Sequence, residues 1–210
     1  MRLGLVTDIH NHAAELALAL KLFRERGVDQ IVTIGDTCDA FAGGGGVAEV
    51  AALLHECGAI GVWGNHDFTF CHDVPDHVRE RHPPKVLDVM AKMQPRLVIG
   101  DCHFSHKESS VDPFDVSQLW DLSEPRLNLM ERAELAFGAV ASRWQFVGHY
   151  HRWWAATPAG PLDWSGAEPI RLESGQRYFI VVAAVCDGWC GILDSDVASI
   201  ETLRCGGDPA

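Results

Sequence analysis

Four short stretches carry side chains suited to chemistry, and each stands where an apolar run ends. Ala59-Ile60-Gly61-Val62-Trp63 gives way to Gly64-Asn65-His66-Asp67, and Leu3-Gly4-Leu5-Val6 leads to Asp8-Ile9-His10. Ile31-Val32-Thr33-Ile34 leads to Gly35-Asp36-Thr37-Cys38-Asp39, and Gln145-Phe146-Val147 to Gly148-His149-Tyr150-His151. An Asn amide oxygen is a neutral ligand for a cation, and an imidazole either moves a proton or binds a metal. A Gly at the end of a buried strand lets the backbone turn sharply and leaves the following polar groups aimed at one place. Strand ends that converge with Asp, His and Asn are how an α/β sheet builds a site at its carboxyl edge.

At these stretches the chain resembles the calcineurin-like metallophosphoesterases. That family carries Asp-x-His, Gly-Asp-x-x-Asp, Gly-Asn-His-Asp/Glu, a lone His and Gly-His-x-His, in this order, and all five elements occur here between Asp8 and His151. Any one of these motifs alone reads as ordinary turn and capping chemistry; five in order do not. The first motif often continues Gly-Asn after its His, whereas this chain continues Asn11-His12. Small bacterial phosphodiesterases of the family often place Cys where His66 stands; this chain keeps the His.

By matching positions, the resemblance implies Asp8, His10 and His151 on one metal, Asn65, His106 and His149 on a second, and Asp36 bridging them. Two divalent cations held close together clamp a phosphoryl group and acidify a shared water into a hydroxide nucleophile near neutral pH. A neutral Asn and four His keep the ligand charge low, so such cations retain Lewis acidity. The resemblance gives His66 a different role, beside the metals, protonating the leaving oxygen or stabilising charge on the phosphate. Asp39, the second Asp of its motif, would orient His66 and raise its pKa towards neutrality. Asp67 is expected to anchor the loop. The lone His is either His103 or His106. A ligand from the strand end favours His106, and alternation puts the two on opposite faces. Mixed His/Asp/Asn sites accept manganese, iron, zinc, nickel or cobalt, so metal identity is open.

The elements that must deliver these groups follow from periodicity. Residues 2–7, 30–34 and 59–63 read as strands alternating with helices over 13–26 and 47–57, a β-α-β-α-β pattern that argues for parallel pairing. The glycine tract Gly43-Gly44-Gly45-Gly46 lacks the phosphate-loop Lys and reads as a lead-in to the second helix. Residues 68–84 read as a loop or cap, followed by a short helix over 85–93 and a hairpin of 96–99 with 102–105 around Gly100-Asp101. Residues 107–125 lack a clean period but hold Phe114, Leu119 and Trp120, and read as a packed excursion over the site. A helix over 127–141 and a β-rich remainder, including a strand over 177–185, complete a single domain of 210 residues. The expected fold is α/β, two packed mixed sheets flanked by helices in an αββα sandwich, with cap elements at 68–95 and 107–126. The mainly parallel first half and antiparallel second half suggest two sheets packed face to face.

Composition narrows the function. A formal net charge of −12 argues against a long nucleic-acid partner, which needs a basic face. A small anionic substrate is compatible with it, because bound cations reverse the local potential. The longest apolar run, Phe179 to Cys186, is far short of the roughly 20 residues of a membrane span. Seven scattered cysteines do not form a disulfide framework, and with no signal peptide ahead of the first strand a reducing cytoplasm is the expected location. Trp153 and Trp154 read as packing residues, although one of them could stack on a base. Lys107 and Arg152, each next to a presumed ligand, read equally as phosphate contacts or surface residues. The leading expectation is a metal-dependent phosphoesterase acting on a small phosphorylated substrate. The alternatives are a non-catalytic scaffold of the same fold and a metal-dependent nuclease. Ligand completeness disfavours the first, and acidic balance and short length the second. Nothing in the sequence sets the oligomeric state.

Overall fold

Strands buried on both faces read as continuous apolar runs, and the two cores they serve explain the first half of the chain. In the computed structural model, which describes residues 1–39, 46–122 and 126–206, β1 (Arg2–Val6), α1 (Ala13–Glu25), β2 (Gln30–Ile34), α2 (Val47–Glu56) and β3 (Ile60–Val62) follow in turn. The three strands are parallel neighbours. Leu3, Leu5, Val32 and Ile34 face the core between the sheets, while Val6 faces a second core with Leu16, Leu20 and Phe23 of α1. Gly4 lies against the Phe23 ring, which a Cβ there would meet at 2.7 Å. Glycines 43–45 of the tract fall outside the described residues; Gly46, with φ 105°, precedes α2.

After β3 come α3 (Phe68–Cys71), α4 (Asp76–Arg81), α5 (Pro84–Met90), β4 (Leu97–Ile99) and β5 (Cys102–Phe104). Residues 68–84, read from sequence as a loop or cap, contain two short helices. Phe70 and Val78 anchor them, and together with Val86, Val89 and Met90 of α5 they join the core of α1 and α2. His, Asp and Pro between these anchors mask a period that single turns are too short to display. The expected hairpin is present, β4 antiparallel to β5 with Gly100 at φ 56°.

The chain continues through α6 (Val116–Leu119), α7 (Leu129–Ala139), β6 (Trp144–Val147), β7 (Trp154–Thr157), β8 (Gly160–Pro161), β9 (Ile170–Arg171), β10 (Tyr178–Val181), β11 (Trp189–Asp194) and β12 (Ser199–Arg204). The sheets run β3-β2-β1-β11-β12-β9 and β4-β5-β6-β10-β7-β8. The two packed sheets expected from the sequence are present, and each mixes parallel with antiparallel pairs. β11 pairs antiparallel with β1 and extends the N-terminal sheet, and β10 pairs parallel with β6. The strand expected over 177–185 ends at Val181. Val182 N donates to Val147 O of the second sheet (2.8 Å), and Val185 N to Thr7 O beside the first (2.9 Å). Residues 182–185 thus cross between the sheets, fully buried, which is why their composition reads as more strand.

Phe104, Phe146, Ile180 and Leu193 fill the space between the sheets, and α7 covers the far side of the second sheet with Ala133 and Ala136 on Phe179 and Val181. Trp153 belongs to the central core and Trp154 packs on the α7 side, so both tryptophans are packing residues. No helix among the described residues is long and apolar enough to cross a membrane.

Candidate metal centre

The residues after β1, β2, β3, β5 and β6 meet at one end of the two sheets. Asp8, His10, Asp36, His149 and His151 all have left-handed backbones, with φ of 48°, 45°, 49°, 67° and 49°. That region costs an ordinary L-residue on the order of 1–2 kcal/mol. Hydrogen bonds between the loops hold it in place. Asp8 N donates to Gly35 O (3.0 Å), Ile9 N to Asp36 O (2.8 Å) and Gly148 N to His106 O (3.0 Å). Asn11, where the family pattern often has Gly, takes φ 67°. Asn is among the non-Gly residues that tolerate this conformation. Its side chain also exchanges two hydrogen bonds with the Asp39 backbone, at 3.0 and 3.2 Å. Two motif glycines mark close approaches: a Cβ at Gly64 would lie 2.1 Å from Asp36 Oδ1, and one at Gly148 2.0 Å from Thr7 Oγ1.

Each buried carboxylate divides its oxygens between the scaffold and the cluster. Asp8 Oδ2 accepts from Thr7 Oγ1 (2.7 Å) and His149 N (2.9 Å). Its Oδ1 is buried without a hydrogen bond and faces His151 Nε2 at 3.3 Å and His10 Nε2 at 3.8 Å. Asp36 Oδ1 accepts from His66 N (2.9 Å), while Oδ2 faces His106 Nε2 at 3.1 Å and His10 Nε2 at 3.8 Å. Asn65 Oδ1 lies 3.0 Å from His106 Nε2 and 3.1 Å from His149 Nδ1. The donor atoms of Asp8, His10 and His151 lie within 4.8 Å of one another, as do those of Asp36, His106 and His149. All seven expected ligand residues are thus brought into one cluster, and His10 also falls within 4.8 Å of Asp39 and His66.

The other nitrogen of each imidazole points at an acceptor. His106 Nδ1 lies 2.8 Å from Ile34 O, His151 Nδ1 3.2 Å from Asp187 Oδ2, His149 Nε2 3.6 Å from Asp121 Oδ2 and His10 Nδ1 3.8 Å from Asp39 Oδ2. Such partners fix the tautomer and ring orientation of a metal-binding His. Asp39 Oδ2 also lies 3.2 Å from His66 Nδ1, and the His10 and His66 rings meet edge-on at 4.7 Å. Asp67 is fully buried and accepts from the amides of Thr37 (3.0 Å), Cys38 (2.7 Å) and Gly64 (3.1 Å), tying the second and third motifs together.

The electrostatics ask for cations. Asp8 and Asp36 are 0% and 2% exposed, and among the described residues neither pairs with Lys or Arg. A buried carboxylate needs a counter-charge. Burial works to raise the Asp36 pKa, but the His106 imidazole holds it below the usual carboxylate range. Burial likewise opposes charge on His106, and Asp36 overrides it, pushing His106 up to about 9. In the bare chain protons supply the positive charge. Oxygen and imidazole donors around a shared carboxylate suit divalent cations, whose uptake would release those protons.

Sequence reasoning missed the residues behind the ligands. Lys107 is buried, so it is neither a surface residue nor open to a phosphate; its Nζ donates to Gln118 O (2.7 Å) and Asp121 Oδ1 (2.5 Å). Glu108 takes Arg132 NH1 (2.7 Å) and Tyr150 OH (2.5 Å), and Arg132 NH2 reaches Asp121 Oδ1 (3.1 Å). No motif or period marks Asp121, Arg132 or Asp187; Lys107, next to His106, is the member of this network that the sequence singled out.

His103 separates from His106 as strand alternation requires. It is buried on β5, its Nδ1 without a hydrogen-bond partner, and burial pushes its pKa down to about 4. His106→Ala is expected to lose one metal equivalent, and His103→Ala to retain both; loss of metal from His103→Ala alone would mean that the wrong histidine is in the ligand set. Because the native His103 stays neutral below its unfolded pKa, its contribution to stability holds above about pH 6.5 and is lost as pH falls towards 4. His103→Gln should flatten the denaturation midpoint across that window, while an unchanged slope would place the acid sensitivity elsewhere.

The fold and this cluster can be set against known proteins. Residues 1–160 match the calcineurin-like phosphoesterase superfamily domain. A metallophosphoesterase from Sphaerobacter thermophilus has the same fold, with TM-score 0.75 and 22% identity, over 97% of this chain and 87% of that one. An archaeal phosphodiesterase aligns with TM-score 0.56 and 16% identity over 97% and 99% of the two chains. A Pyrococcus horikoshii OT3 protein aligns with TM-score 0.69 and 12% identity over 99% and 88%. No curated protein sequence matches. With the domain match spanning residues 1–160 and His/Asp groups able to hold metal, the chain belongs to the calcineurin-like phosphoesterases, hydrolases of phosphoric ester bonds that generally use divalent metals.

Proposed function

We propose that the chain hydrolyses a small phosphate ester at a two-metal centre. One cation would be held by Asp8, His10 and His151, the other by Asn65, His106 and His149, with Asp36 shared. The observation that carries this reading is the pair of buried carboxylates, each with one oxygen fixed by the loops and the other turned towards imidazoles. When bound, the cations supply Lewis acidity towards a phosphoryl group and a lowered pKa for water.

The protein's own groups divide the remaining work. The outer acceptors keep each imidazole turned so that one nitrogen faces the cluster. His66 stands beside the cluster, partly exposed, where its Nε2 would deliver a proton to the leaving oxygen. Asp39 Oδ2, 3.2 Å from Nδ1, orients that ring. Trp120, whose ring lies 4.7 Å from that of His66, limits water on one side of the acid.

The substrate is small because the chain carries a net charge of −12 and no Lys/Arg-rich segment to track a polyanion. Metal-stripped protein reconstituted with manganese, zinc, cobalt, nickel or iron should hydrolyse a generic phosphomonoester or small phosphodiester and leave long duplex DNA intact. Efficient duplex cleavage with a steep loss of affinity in salt would replace this reading with a nuclease. Full metal loading with no hydrolysis of any phosphate ester would favour the scaffold.

A further inference from the structure

The segment after β5 returns over the metal cluster and is fastened there by buried charge. Lys107 and Arg132 supply two cations, Glu108 and Asp121 two anions, and Lys107, Glu108 and Arg132 are 2%, 3% and 7% exposed. Asp121 is the member that reaches the cluster. Its Oδ1 takes both cations, and its Oδ2 faces His149 Nε2 at 3.6 Å. Its backbone is left-handed, φ 52°, as are those of five ligand residues. Its neighbour Trp120 lies on His66.

We propose that Asp121 is a positioning residue of the metal centre, fixing the His149 ring from its outer nitrogen and, through Lys107 and Arg132, seating Trp120 against His66. This rests on the two-metal reading above. Asn65 Oδ1 lies on the Nδ1 side of His149, so a proton on Nε2 and a free Nδ1 are what a ligand role requires. A carboxylate on the far side selects that tautomer, and Lys107 and Arg132 hold the carboxylate in place. A backbone carbonyl does the same for His106. Among the described residues His149 Nε2 has no backbone acceptor, and it faces instead a side chain 28 positions earlier in the chain.

The test is calorimetric titration of metal-stripped wild type and Asp121→Asn with manganese(II), with histidine ¹⁵N spectra of the zinc-loaded proteins. Wild type should take up two equivalents and show one imidazole with its proton on Nε2 and its metal on Nδ1. Asp121→Asn should weaken one equivalent by about 10- to 100-fold, the usual effect of losing an outer partner, and should broaden or lose that imidazole signature. If Asp121→Asn does not fold, Asp121→Glu takes its place: it keeps the charge for Lys107 and Arg132 but displaces the carboxylate by a methylene, and the same weakening of one equivalent is expected. Two unchanged affinities with an unchanged histidine spectrum, in whichever variant folds, overturn the role of Asp121. A wild-type chain that takes up fewer than two equivalents overturns the two-metal reading itself, and this inference with it.

Discussion

Asp36→Asn is expected to release metal and abolish most turnover together. The two carboxylate oxygens of Asp36 are already divided: Oδ1 accepts the amide of His66 at 2.9 Å, and Oδ2 faces His106 and His10. An Asn of the same shape can keep one of these contacts. It cannot carry the charge that lies between Asp8-His10-His151 and Asn65-His106-His149. Lewis-acid stabilisation of several kcal/mol corresponds to roughly 10³-fold in rate at about 1.4 kcal/mol per decade. The scaffold should survive, because Asp67 and not Asp36 ties Thr37, Cys38 and Gly64. The measurement is metal content by elemental analysis beside turnover and melting temperature. Two metals per chain and full activity in Asp36→Asn would refute the shared-ligand assignment.

The site was legible in sequence to the extent that its groups sit directly at strand ends. Asp8, Asp36, Asn65 and His149 each lie within two or three positions of a buried strand, so the strand's register fixes where they stand. His106 required choosing between two candidates three residues apart; its place at the strand end favoured it, and alternation set the two on opposite faces. What could not be read is everything held by long-range side-chain pairing. Asp121 meets Lys107 across 14 positions and Arg132 meets Glu108 across 24, and the outer partner of His151 is Asp187, 36 positions on. Such contacts leave no local period. The fold shows the same limit. β1, β2 and α1 announce themselves by burial pattern, whereas the crossing at 182–185 is as apolar as a strand and pairs with two different sheets. The assignment of β11 to the N-terminal sheet likewise depends on a partner, β1, nearly 190 positions away.

His66→Ala is expected to keep both metals and lose about 10²–10⁴-fold in turnover, the usual worth of a positioned acid. The Nδ1 of His66 lies 3.2 Å from Asp39 Oδ2. Its backbone amide donates to Asp36 Oδ1 at 2.9 Å, and alanine retains that amide. The loss should depend on the leaving group. A nitrophenolate leaves without a proton, so its hydrolysis should suffer least; an alkoxide should suffer the full factor. Asp39→Asn should give a milder form of the same pattern. It should also loosen one metal slightly, because the same Oδ2 lies 3.8 Å from His10 Nδ1. This second effect separates the two variants: His66→Ala alters proton delivery alone, whereas Asp39→Asn touches both proton delivery and a ligand. Metal content and turnover on the two leaving groups decide the matter. Metal loss in His66→Ala would make His66 a ligand, and an equal loss on both substrates would remove it from the role of general acid.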